Sequence, residues 1–239
     1  MKPWQRKQWN IPWVGAEFVW RMEDVLDMYE QPADPVYPML CFDETPYQLI
    51  GEKLVPITMK PGQPQRYDSE YIRNGVVNLF MVFQPALGWR HVYIRTHRTK
   101  EDFARVIKDV IDRQFPEAKG VKIVMDNLNT HTPASLYEVF PPEEARRLAS
   151  KLEIHYTPKH ASWLDMAEIE ISVLKEQCLD RRIPTEEMLE QEIMAWEDER
   201  NQQHATVEWR FTSRDARDKL KRLYPKLEQD RGMELTCQN

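Results

Sequence analysis

Val121–Asp126 reads VKIVMD, an almost unbroken apolar run that ends on an acid. A run this short and this apolar predicts a strand covered on both faces, as in a parallel sheet packed between helices. Upstream, Met39–Phe42 predicts a second short strand that also runs straight into an acid, Asp43. Val76–Phe83 (VVNLFMVF) is a third buried-type strand, Lys53–Thr58 a weaker one, and His91–Thr96 alternates with Val92 and Ile94 on one side. Leu152–Tyr156 alternates as a further strand. Between these lie helical patterns. Thr99 opens one, with Phe103, Val106, Ile107, Val110 and Ile111 at helical spacing and Pro116 closing it. Pro141–Lys151 is a second, charged one. The pattern predicts an α/β layered domain, a mixed sheet flanked by helices.

The ends of the chain read differently. Trp4, Trp9, Trp13, Phe18 and Trp20 crowd the opening, and Val19–Tyr29 predicts a short helix with Met22, Val25, Leu26 and Tyr29 on one face. QPADPVYP (31–38) is a proline-punctuated break. From Leu164 the chain reads as helices. Ala167, Ile171, Leu174 and Cys178 form one stripe, Thr185 caps a helix with Leu189, Ile193 and Trp196, and Ser213 caps another with Ala216, Leu220 and Leu223. The expected division is a linker over 1–36, a catalytic domain over 37–224 and a frayed tail over 225–239.

Composition narrows the function. The 239 residues carry a net charge of −6, with 41% hydrophobic and 30% charged residues. No run approaches the roughly 18 apolar residues of a membrane span. Seven glycines and the absence of GxGxxG or GxxxxGKS disfavour a nucleotide-binding loop. Cys41, Cys178 and Cys237 are odd in number and far apart, with no CxxC pair, which points to a reducing compartment. An acidic total argues against a surface that binds nucleic acid everywhere, but leaves room for a local basic groove.

Each strand-end acid alone reads equally well as a turn former or cap. Two of them, with a helix-borne acid after Leu164, read as a cluster, and clustered carboxylates repel by roughly 4 kcal/mol per pair at 4 Å and an effective dielectric near 20. Such a cluster wants a cation, and a set of oxygen ligands suits Mg²⁺ or Mn²⁺. Two such ions can clamp the attacking and leaving oxygens of a phosphodiester.

CFDETPYQLIGE, VMDNLNTH and YTPKHASWLDMAEIEISVL, in that order, resemble the DDE transposases of the Tc/mariner superfamily, most closely the bacterial insertion-sequence family numbered six hundred and thirty. The resemblance spans roughly residues 36–224. It implies an RNase H-like fold, two divalent ions, cleavage of transposon ends and their joining to target DNA at TA. By position it assigns the three catalytic, metal-holding acids to Asp43, Asp126 and Glu168. Asp165 stands where the family has Asn, and the 42 positions from Asp126 to Glu168 exceed the usual spacing. Helical phase leaves Glu168 and Glu170 both flanking the buried stripe; the motif selects Glu168.

Around the acids, Glu44 should point to the opposite face from Asp43 and serve as an ion-pair partner. Candidate DNA contacts are Lys159 and His160 on the loop before Glu168, and Trp163 as a stacking ring or an anchor. His131 is another candidate, touching either DNA or the groups behind the acids, and Arg217 and Arg222 belong to a basic group framing a DNA channel. The implied partners are DNA, a second copy of the chain, and a separately encoded helix-turn-helix part, since residues 1–36 are too short for the family's recognition modules. Two alternatives stay open: a nuclease that cuts without joining, and a catalytically inactive fragment that binds DNA or dimerises.

Overall fold

The computed structural model describes residues 15–64, 66 and 68–225. Trp4, Trp9, Trp13, Cys237 and the tail expected beyond Pro225 lie outside the described residues. Five strands form one sheet, β1 (Met39–Glu52), β2 (Tyr71–Gln84), β3 (Trp89–Arg95), β4 (Val121–Met125) and β5 (Leu152–Tyr156), in the order β3-β2-β1-β4-β5. β1, β2 and β3 are antiparallel neighbours, whereas β4 runs parallel to β1 and β5 parallel to β4. This is the mixed sheet expected of an RNase H-like fold.

Helices cover both faces. On one lie α2 (Lys100–Asp109, prolonged by a π-helical turn to Gln114), α3 (Ala134–Val139) and α4 (Pro142–Ser150). They pack Phe103, Ile107, Leu136 and Leu148 against Leu40, Phe42, Phe80 and Ile123. On the other lie α1 (Ala16–Tyr29), α5 (Met166–Gln177), α6 (Glu186–Gln202) and α7 (Ser213–Lys219). They pack Met22, Leu26, Ala167, Leu174 and Ile193 against Cys41, Leu79, Met81 and Val124. Successive strand residues thus feed opposite cores, and both central strands read as continuously apolar for that reason. Thr99 caps α2 in a full capping box with Asp102, and Thr185 caps α6.

Three expectations are corrected. Lys53–Thr58 is not a strand. Instead β1 and β2 continue as a long hairpin, beyond which only isolated bridges such as Ile57–Arg66 occur. Proline and glycine at 56, 61, 62 and 64 deny that loop a regular ladder. The last helix is capped by Thr212, in a capping box with Asp215, and Ser213 is its first residue. The third-layer helix α3 was not anticipated; at six residues it is too short to show a period. No helix among the described residues is long and apolar enough to cross a membrane.

Candidate active site

Parallel pairing decides where the acids go. Phe42 stands opposite Met125, so the next residues lie side by side, Asp126 just past the end of β4 and Asp43 inside β1, which runs on to Glu52 and so does not end at the acid as the sequence suggested. Both follow residues of the α5-facing core, Cys41 and Val124, by two positions, and side chains two apart share a face. Helix α5 packs on that face, and Glu168 lies half-buried in its first turn. The charges of Asp126 and Glu168 both act on Asp43. Burial first, then crowding by Glu44, Asp126 and Glu168, pushes the Asp43 pKa up to about 7, although a bond from the Glu44 N–H to its Oδ1 (2.8 Å) pulls the other way.

Glu170, two residues on, is engaged elsewhere. It is fully buried, accepts from Arg200 Nε at 2.8 Å and lies 2.9 Å from Arg90 Nε, an ion-pair distance without hydrogen-bond alignment. Asp165 caps α5 through Oδ1, which accepts from the Ala167 N–H at 2.8 Å. Its Oδ2 is buried with no partner. Burial and the nearby Asp43, Glu168 and Asp126 hold its carboxyl well above the usual range.

His131 sits behind the acids, not before them. Nδ1 lies 2.6 Å from Asp126 Oδ1, Nε2 lies 3.0 Å from Glu44 Oε2, and the ring is fully buried between Phe42 and Phe103. Burial would lower its pKa, but the bonds and charges of Asp126 and Glu44 prevail and raise it to about 9. A ring with no exposed surface cannot touch DNA, which corrects that half of the expectation. Glu44 does point away from Asp43, and the side chain that meets it there is His131. The sequence held a signal for this pair, an acid next to Asp43 and a histidine five residues after Asp126, but only the strand pairing joins them.

The remaining candidates are spread more widely. Lys159 and His160 are exposed on the loop between β5 and α5, with His160 at a left-handed φ of 65°. Trp163 is 45% exposed and stacks on Trp209 at a centroid distance of 6.5 Å, with Phe211 edge-on. Arg217 grips Glu23 with two bonds of 2.8 and 2.7 Å, tying α7 to α1, while Arg222 is exposed on the turn after α7. Other basic side chains pair with acids of this chain, Arg147 with Asp112 and Glu144, Arg181 with Glu192, and Lys219, two residues from Arg217, with Asp215. A continuous basic channel does not follow from them.

The donors suit a divalent ion: they are all carboxylate oxygens, and burial, with neighbouring carboxylates, raises the pKa of Asp43. Among the described residues no three His, Cys, Asp or Glu side chains form a ready metal cage.

Comparison with known proteins bears on the fold and the family. No curated protein sequence matches. Three solved structures share the fold: the Mos1 mariner paired end complex with Mn (15% identity, TM-score 0.52), the Mos1 paired-end complex with left transposon end (14%, 0.52) and the Mos1 strand transfer complex (13%, 0.53). Each alignment covers 83% of this chain, which spans 62% of the length of those proteins. A family profile described as DDE superfamily endonuclease matches residues 38–190, a stretch containing Asp43, Asp126 and Glu168. Since that stretch is more than half of the sequence, this chain belongs to the DDE superfamily endonucleases.

Proposed function

We propose that the chain is the catalytic part of a DNA transposase of the Tc/mariner superfamily, related to the bacterial insertion-sequence family numbered six hundred and thirty. In this reading it cuts transposon ends and joins the freed 3′ ends to target DNA at TA, in the bacterial cytoplasm. Residues 37–224 would be the catalytic unit, 1–36 a linker and 225–239 a tail. A separately encoded helix-turn-helix part would supply end recognition. The observation that supports the reading is the pairing that sets Asp43 beside Asp126, with the charges of Asp126 and Glu168 both acting on Asp43.

Asp43, Asp126 and Glu168 would hold two Mg²⁺ or Mn²⁺ ions, which when bound supply Lewis-acid activation of the attacking oxygen and neutralise charge on the phosphate. The chain's own groups do the positioning. The Glu44 N–H fixes one oxygen of Asp43, and the His131 ring fixes one oxygen of Asp126. Lys159 and His160, exposed on the loop that leads to Glu168, are placed to meet backbone phosphates. Trp163 has one partner ring already and enough free surface to meet a base. Self-association would use the apolar hairpin beyond β1 and β2, where Val55 is 92% exposed.

Asp43→Asn, Asp126→Asn and Glu168→Gln should each abolish Mn²⁺-dependent nicking of plasmid DNA and joining of end DNA, while the protein stays folded. Nicking that survives Asp126→Asn defeats the assignment. Nicking without any branched product in the wild type would leave a nuclease and remove the transposase.

A further inference from the structure

Two strands reach the acidic site, and a buried imidazole links them from behind. Glu44 projects from β1 into the core opposite Asp43, and its side chain is only 3% exposed. His131 is fully buried, and the Asp126 side chain it meets is 39% exposed. A dry carboxylate and a dry ring therefore back a carboxylate that faces water. The tight end of the link is the one at the site, 2.6 Å from Nδ1 to Asp126 Oδ1, slightly shorter than the roughly 2.7–2.9 Å of a charge-assisted N–H···O bond. At the other end Nε2 and Oε2 lie at 3.0 Å without hydrogen-bond alignment, and neither atom has another partner.

We propose that His131 and Glu44 are positioning residues for Asp126, holding one of its oxygens so that the carboxylate presents itself to a divalent ion in a fixed orientation. The inference rests on Asp126 being a metal-holding acid. Packing alone does not require this arrangement. The ring lies edge-on to Phe42 at 5.2 Å and beside Phe103 at 5.0 Å, a setting that a phenyl ring would fill without the desolvation of a buried Glu–His pair. Groups behind a ligand are retained where the ligand's direction matters, and their loss typically costs about 10–100-fold in metal affinity. The link also couples Asp126 to the strand bearing Asp43, so both acids are referenced to β1.

The test keeps the packing and removes the link. His131→Phe alone would leave Glu44 buried and unpaired, so it is combined with Glu44→Gln. Thermal unfolding and Mn²⁺ titration calorimetry are run on the wild type, this double variant, Asp126→Asn, His131→Ala and His131→Asn. The double variant should melt near the wild type yet bind Mn²⁺ about 10–100-fold more weakly. His131→Asn, whose amide nitrogen can stand where Nδ1 stands, should recover affinity lost in His131→Ala, even if the double variant fails to fold. Wild-type affinity in the double variant, or equal loss in the Asn and Ala variants, overturns the positioning role while the metal reading survives on loss in Asp126→Asn. A wild type that binds no Mn²⁺ overturns both.

Discussion

At the scale of single residues, the site is built from acids that repel one another, and Asp165 shows it most plainly. One of its oxygens caps α5, while the other is buried without a partner beside three further carboxyls. An amide there keeps a carbonyl oxygen for the Ala167 N–H and carries no charge. Asp165→Asn should stabilise the metal-free protein by about 1–2 kcal/mol, or roughly 2–8 °C in melting temperature. The sign of its pH dependence follows from the raised native pKa. An unfolded aspartate ionises near about 3.9, so above that pH the native state binds more protons, and Asp165 costs more stability as the pH climbs. The gain should be near zero at pH 4 and grow toward neutrality. Calorimetry in chelator across that range checks it, and a variant that melts at or below the wild type at neutral pH sinks it. Asp43 and Asp126 stood out as candidates in the sequence because each ends an apolar run, whereas Glu168 was selected only by the family motif. The His131–Glu44 link was not, since it spans residues that only the β1–β4 pairing makes neighbours.

At the scale of elements, α5 carries two glutamates with opposite duties. Helical phase could not separate Glu168 from Glu170, because both flank the apolar stripe and the difference lies in what packs on either side. Glu168 looks toward the strand ends. Glu170 looks toward β3 and α6, where Arg90 is fully buried and held by Glu170, Asn201 and the Ala205 carbonyl. Removing that carboxylate strands a buried guanidinium, so Glu170→Ala should cost about 3–5 kcal/mol. Glu168→Gln removes one of the crowded carboxylates and strands no buried cation, so it should cost far less stability than Glu170→Ala, and under the proposed function it should abolish catalysis. Urea unfolding of both variants decides it: equal losses would mean that the two faces of α5 are not distinguished as described. The same limit explains the other element-level differences. Strand positions came from apolar runs and were right where two cores meet a strand, whereas the loop beyond β1 is apolar without being buried, and its composition imitates a strand.

At the scale of the whole molecule, that loop is where the protein has more apolar surface than it uses. Leu54, Val55, Ile57 and Met59 are 62%, 92%, 66% and 70% exposed on a hairpin that projects past the sheet. Scattered exposed apolar residues mean little, but four within six positions form a patch, and patches mark interfaces. A second copy of the chain, the self-association proposed above, suits the surface. On that proposal, replacing Leu54, Val55, Ile57 and Met59 with Ser should leave a monomer in sedimentation velocity where the wild type associates. Its melting temperature as a monomer should barely move, since side chains this exposed add little to the fold's own stability. A wild type that sediments as a monomer at every concentration, or a serine variant that still associates, would place the contact between copies elsewhere and leave the hairpin without a partner.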